Sequence, residues 1–296
     1  KRLSPPSLRA RLIIGGAFWA LTAGAALAAD VTPLTEGWRF TRTDATGAQA
    51  PRFDDRAWGS VVVPHTYNAE DSGIGGAKAR GEPEGVYYRG PAWYRLTLDQ
   101  APQPGKRYFL HFGGATLKAE VYLNGRSVGT HEGGYAAFRY DVTDALRSGG
   151  NLLAVRVDNA KNPRYAPLNG DFNIFGGLYR EVKLIETPDL HIDLMQHGGP
   201  GLHVRTDALS STQAQISSRL FVRNDSRSAK RFEVLTRITD AEGAVVAETR
   251  TPATLAAGQG QTVEQSLTLA NPRLWTGRAS PYLYKAVSES LVDGQA

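Results

Sequence analysis

The chain has no cysteine, one methionine and six scattered histidines in 296 residues. The missing thiols exclude disulfide frameworks, thiolate metal sites, cysteine nucleophiles and lipid attachment through an N-terminal cysteine. The histidines show no metal-ligand spacing, so no metal site is expected, and no cofactor motif stands out. Long runs with helical periodicity are absent. Beyond the N-terminal region, no apolar run approaches the length of a membrane span. Strong charge of one sign is also missing once the N-terminus is set aside. The four basic side chains of residues 1–28 account for most of the formal +5, leaving +1. A nucleic-acid partner is therefore not expected.

What is present begins with that N-terminus. Lys1, Arg2, Arg9 and Arg11 precede the apolar run "LIIGGAFWALTAGAALA", which closes on Ala26-Leu27-Ala28. This is the pattern of a secretory signal over residues 1–28, with cleavage expected after Ala28. It predicts an exported protein, periplasmic or extracellular, with no membrane attachment after cleavage.

From Asp30 to about Thr187, short strands alternate with Gly, Pro and Asn turns. "NLLAVRVDN" places Leu153, Val155 and Val157 on one face, and "AWYRLTL" sets Tyr94, Leu96 and Leu98 against Arg95 and Thr97. Asn124-Gly125 predicts a two-residue hairpin turn, because both residues accept positive φ. A second strand-rich unit runs over 188–296. There "RFEVLTRITD" turns Phe232, Val234, Thr236 and Ile238 one way, and turns fall at Asn224-Asp225 and at 240–243. The expectation is all-β: a jelly-roll sandwich over 30–187, then an immunoglobulin-like sandwich. Asp293-Gly294 reads as a hairpin turn with its return strand beyond Ala296, so the second sandwich is expected to be incomplete.

Several formal motifs dissolve. Gly125-Arg-Ser127-Val-Gly129 fits a nucleophile elbow, which needs a strand, a turn and a helix, but here it lies in a β-hairpin. "HEGGY" has Tyr135 four residues after His131, where a zinc site would need a second imidazole. Glu82, Glu84, Glu132 and Asp171 are loop carboxylates, and no catalytic pair is identified among them. A denser constellation occupies "VVVPHTYNAEDSGIGG" and "EGVYYRGPAWYR", where amides, carboxylates and aromatics crowd Gly-rich loops as sugar sites do. Trp93 within it reads as a core residue. "NGDFNIFGGLYREV" gathers Asp171 and Asn173 ahead of Gly176-Gly177 and a half-buried strand.

The ordered segments "VPHTYN", "WYR", "LHFGGATLKAEVYLNGRSVGTHEGGYAAFRYDVTDAL" and "FGGLYREVKL" resemble the N-terminal region of glycoside hydrolase family 2. This family holds β-galactosidases, β-glucuronidases and β-mannosidases. The resemblance runs from about Trp38 to the C-terminus, where "NPRLWTGRASPYLYKAV" is similar to the family's immunoglobulin-like domain. It implies a sugar-binding jelly roll over 30–187, the second sandwich over 188–296, and then a catalytic (β/α)₈ barrel carrying two glutamates. The Asn-Glu-Pro run of the acid/base position occurs nowhere in the chain, so no catalytic residue is expected within it.

By the same resemblance, Asp171 contacts the hydroxyls of the sugar in the barrel's active site, and His65, Asn68 and Asn173 are further substrate-binding candidates. For Asp171 the alternative is a turn cap. The implied partners are a β-glycoside substrate, the barrel, and further copies in a homo-oligomer. The competing functional reading is a stand-alone carbohydrate-binding module with an immunoglobulin-like partner domain.

Overall fold

The computed structural model describes residues 29–69, 71, 87–166 and 174–295. The expected signal, Asp171 and Asn173 lie outside the described residues. Among those described, the first sandwich contains β1 (Asp30–Pro33), β2 (Trp38–Thr41), β3 (Gly59–Val61), β4 (Pro91–Leu98), β5 (Lys106–Phe112), β6 (Lys118–Leu123), β7 (Arg126–Glu132), β8 (Phe138–Asp141), β9 (Asn151–Asp158) and β10 (Val182–Pro188). All pairs are antiparallel, in one sheet ordered β1-β10-β5-β8 and another ordered β3-β2-β4-β9-β6-β7. The chain crosses between the two sheets from β1 to β2, β4 to β5, β5 to β6, β7 to β8, β8 to β9 and β9 to β10, as in a jelly roll.

The period-2 pattern explains the core between the sheets. Leu153, Val155 and Val157 of β9 meet Tyr94, Leu96 and Leu98 of β4 and Leu110 and Phe112 of β5 in one buried cluster. The β6–β7 hairpin turns at Asn124 (φ 57°) and Gly125 (φ 83°), the positive-φ pair that this turn demands. Ser127 sits exposed on β7.

Arg95 departs from the alternation. It is 2% exposed, although it stands on the face of β4 opposite the core. The segment over 42–58 folds across that face and makes a second small core with Trp93, Ala154, Phe53 and Trp58. The Arg95 guanidinium bonds Asp55 at 2.7 Å and donates to the carbonyls of Ala48, Ala50 and Phe53. An alternating pattern reports one buried face; a covering segment from elsewhere in the chain buries the other.

The second sandwich contains β11 (Leu190–Ile192), β12 (Leu202–Leu209), β13 (Gln213–Asn224), β14 (Lys230–Thr239), β15 (Val245–Leu255), β16 (Gly260–Ala270) and β17 (Lys285–Leu291). In one sheet β13 pairs with β11, β12 and β16; the other is ordered β15-β14-β17. This is an immunoglobulin-like arrangement. Asp293 and Gly294 both have positive φ and close a tight turn bridged by Val292 and Gln295. The inward face of β14 carries a polar interruption. Thr236 is fully buried and bonds Gln265 and Ser288, while Gln265 donates to the Val234 carbonyl and Thr251. Every polar atom brought into that core thus finds a partner, which keeps its burial from being costly.

The two sandwiches meet along β5. Leu110 faces the first core, while Phe109 packs against His191, ring centroids 5.4 Å apart. His111, on the same outer side, accepts a hydrogen bond from Nε of Arg139 at 3.0 Å. Arg139 in turn donates to the carbonyls of Leu194 and Gly199 in the connection to the second sandwich. Burial first, then the positive charges of Arg139 and Lys183, hold His111 down to about 4 from its ordinary 6.5. Between those values the unfolded chain binds a proton there and the folded chain does not, so stability falls as pH drops from about 6.5 to 4, then levels. Melting temperatures across that range should decline in the parent and decline less in His111→Asn. An unchanged slope in the variant would show that His111 is not the source.

Candidate functional site

The site is assembled where the loop over 62–69 with Asp71, the strand entry at 87–91, Asn159 after β9 and the chain over 174–178 converge. Asn68 is the centre. It is wholly buried, its Nδ2 donating to Asp71 Oδ2 at 2.6 Å and to the Tyr88 carbonyl at 2.9 Å. Its Oδ1 accepts from the Gly176 amide at 2.8 Å and from Asn159 Nδ2 at 3.2 Å. Two donors and two acceptor positions are the full capacity of an amide side chain.

Asp71 extends the network outward. Its Oδ2 also accepts from the Tyr88 amide at 3.1 Å, and its Oδ1 pairs with Arg42 at 3.1 Å. The Arg42 guanidinium lies over the Tyr88 ring, 4.8 Å from its centroid. Asn159, also fully buried, accepts from the Gly90 amide at 2.8 Å and donates toward the Ile174 carbonyl at 2.9 Å. The ion pair is hydrogen-bonded on both sides, the condition under which a buried charge is tolerated.

The two glycines of "FGGLYREV" have separate reasons. A Cβ on Gly176 would lie 2.1 Å from the Tyr67 ring. Tyr67 cannot move aside easily: it is buried, stacked on Phe40 and bonded to the Gly90 carbonyl at 3.0 Å. Gly177 has φ +115°, and a Cβ there would lie 2.6 Å from both the His65 carbonyl and the Tyr94 hydroxyl. The backbone is pinned at this point, with the His65 amide donating to the Leu178 carbonyl at 2.7 Å.

His65 is half-buried, its Nδ1 2.8 Å from the Tyr94 hydroxyl and its ring edge-on to Phe40. Burial pushes the phenols of Tyr94 and Tyr67 well up, so both stay protonated and can donate. The structure thus brings His65 and Asn68 together around Gly176-Gly177. Sequence reasoning placed Asp71 in the same loop constellation as His65 and Asn68 but missed Asn159 and Arg42 as members of the cluster; the "VRVDN" ending that carries Asn159 reads only as a strand end. Among the described residues, no group of three or more His, Cys, Asp or Glu is placed to hold a metal.

A jelly roll and an immunoglobulin-like sandwich in series, with a buried polar cluster under the loops of the first, define a class: an all-β chain of two sandwich domains. The family follows from comparison with known proteins. Residues 33–188 match the model described as glycosyl hydrolases family 2, sugar binding domain, and residues 197–296 match that of glycosyl hydrolases family 2. The chain belongs to glycoside hydrolase family 2. It is 35% identical to a β-galactosidase of Bacteroides ovatus over 85% of its length, and 30% identical to a β-glucuronidase of Bacteroides fragilis over 88%. The crystal structure of a Bacteroides uniformis β-glucuronidase superposes with a TM-score of 0.81 at 32% identity, covering 90% of the chain. The chain spans only 28% and 35% of the two relatives' lengths and 31% of that structure's chain.

Proposed function

We propose that the chain is the N-terminal, non-catalytic portion of an exported retaining β-glycosidase of the β-galactosidase type. Its catalytic barrel would lie outside these 296 residues. The observation that carries this is the ordered match of both sandwiches to family 2, with a built polar cluster under the segment approaching Gly176-Gly177. The galactosidase form is favoured by the higher identity to the Bacteroides ovatus β-galactosidase than to the Bacteroides fragilis β-glucuronidase. Export rests on the basic and apolar pattern of residues 1–28.

In this reading Asp171 accepts hydrogen bonds from adjacent hydroxyls of the sugar. Charge-assisted bonds of this kind contribute about 1.5–3 kcal/mol each. His65 stands beside the same glycine pair and serves the rim of the site. Asn68, with its amide fully engaged inside the chain, acts by holding that rim rather than by touching sugar.

The test is an assay of the full-length enzyme and of this chain alone on nitrophenyl β-galactoside and β-glucuronide. The enzyme should hydrolyse the galactoside and the chain alone neither substrate. Asp171→Ala should lower kcat/KM of the full-length enzyme by about 100-fold or more, with little change in melting temperature. Near-parental kinetics would remove Asp171 from the site. Submillimolar sugar binding by the chain alone would favour the carbohydrate-binding module instead.

A further inference from the structure

The connection over 193–201 leaves the second sandwich and returns to it at a single residue. The Asp193 amide donates to the Phe221 carbonyl at 2.8 Å, and the Phe221 amide donates to the Gly201 carbonyl at 2.9 Å. Between these anchors the strap is tied to itself. The His197 amide donates to the Met195 carbonyl and the Gly199 amide to that of Gln196, each at 2.8 Å. Its tip rests on the first sandwich. A Cβ on Gly198 would lie 2.5 Å from the Ala137 carbonyl, and φ there is +70°. Ala137 leads into β8, the edge strand of its sheet.

Arg139 of β8 fastens the strap. Its Nη1 donates to the Leu194 carbonyl at 2.9 Å and to the Gly199 carbonyl, while its Nε donates to His111 Nδ1 at 3.0 Å. All three acceptors are neutral, so the guanidinium keeps this posture only while the imidazole offers a lone pair. A proton on Nδ1 removes that acceptor and sets two cations side by side. The charges facing His111 are Arg139 from β8, Lys183 from β10 and Glu181 just before it, and the cations prevail. His191, another buried histidine of the junction, is placed oppositely. Its Nε2 lies 3.8 Å from Asp225, so a carboxylate meets any charge it takes up.

We propose that residues 193–201 form an acid-released strap, with Arg139 as its latch and His111 as the group that opens it. Burial and the two cations hold the latched His111 down to about 4. Once the strap lifts, the ring regains water and its ordinary 6.5, so acid favours the lifted form between those values. A second tie between the sandwiches uses no contact of His111. Arg107 bonds Asp141 at 2.5 Å and lies 3.6 Å from Asp225, and this bridge serves as the pivot. Release loosens the orientation of the first sandwich, with its Asn68 cluster, against the second. The device is independent of which sugar the enzyme takes.

Amide hydrogen exchange on this chain at pH 7 and pH 5, corrected for intrinsic rates, is the test. Protection of the Gly199 and Phe221 amides should be about 20-fold lower at pH 5, the shift expected when a released group regains 6.5 from about 4. Amides of β9, inside the first core, should stay better protected at both values, which separates local lifting from global unfolding. In His111→Asn, whose side-chain oxygen accepts but takes up no proton, protection of the strap should be equal at the two pH values. Arg139→Met should show low protection already at pH 7 and no response to acid, so two variants bear on the latch. Parental protection retained at pH 5 would overturn the proposal, as would an acid response that survives in either variant. Strap amides that exchange in step with β9 throughout would overturn it too, since the strap would then open only when the chain unfolds.

Discussion

Gly177→Ala and Gly176→Ala should each destabilise the chain by about 3 kcal/mol, a displacement of the urea midpoint large enough to read directly. The two arise differently, and the difference is testable. At Gly176 the added methyl meets the Tyr67 ring at 2.1 Å, so the obstacle is a side chain. Shortening it in Tyr67→Ala should relieve the clash, and the double variant should be less destabilised than the two single effects added together. At Gly177 the obstacles are the His65 carbonyl and the Tyr94 hydroxyl, each at 2.6 Å, combined with φ +115°. No side-chain substitution removes the carbonyl or the φ, and Tyr67 is not among the obstacles, so Tyr67→Ala should leave the Gly177→Ala loss intact.

Gly47 is the control. Its φ is +84° with nothing within 4 Å of an added Cβ, and Gly47→Ala should lose only roughly 1 kcal/mol from the left-handed backbone. Equal losses at positions 47 and 177 would mean that backbone conformation, not the contacts of an added Cβ, accounts for Gly177.

The second large effect concerns Arg95. Arg95→Met should lose about 3–5 kcal/mol, because breaking a buried pair strands the partner. Asp55 would lose its 2.7 Å ion pair, and the carbonyls of Ala48, Ala50 and Phe53 would lose their donor. Methionine fills much of the stem volume, so the loss would report hydrogen bonding rather than a cavity. Near-UV circular dichroism should change as well, since Trp93 and Trp58 belong to the small core that the segment over 42–58 closes. Arg95→Lys should recover only part of the loss: an ammonium is a point donor and cannot span three carbonyls as the planar guanidinium does. A stable Arg95→Met with an unaltered near-UV spectrum would show that the segment is held by its apolar contacts alone.

The same physics separates what was legible in the chain from what was not. Leu153, Val155 and Val157 announce their strand because side-chain direction alternates with every residue, and the buried face records itself as apolar. Asn124-Gly125 announces its turn because few residues tolerate that backbone. Gly176-Gly177 marks a close approach without saying to what; only the fold brings Tyr67, His65 and Tyr94 there from more than eighty residues away. Asn68 reads in the sequence as a sugar ligand; that its amide is fully engaged by four hydrogen bonds inside the chain is visible only in the fold.

By itself, then, the sequence determined the strands, their turns, the two sandwiches and the resemblance to family 2. Tertiary structure alone decided the fate of the polar residues: Arg95, Asn68, Asp71, Asn159 and Thr236 are all buried. The physical reason is that an apolar residue is driven inward by its own aversion to water. A polar residue goes inside only when distant segments deliver its hydrogen-bond partners, and no local pattern encodes that delivery.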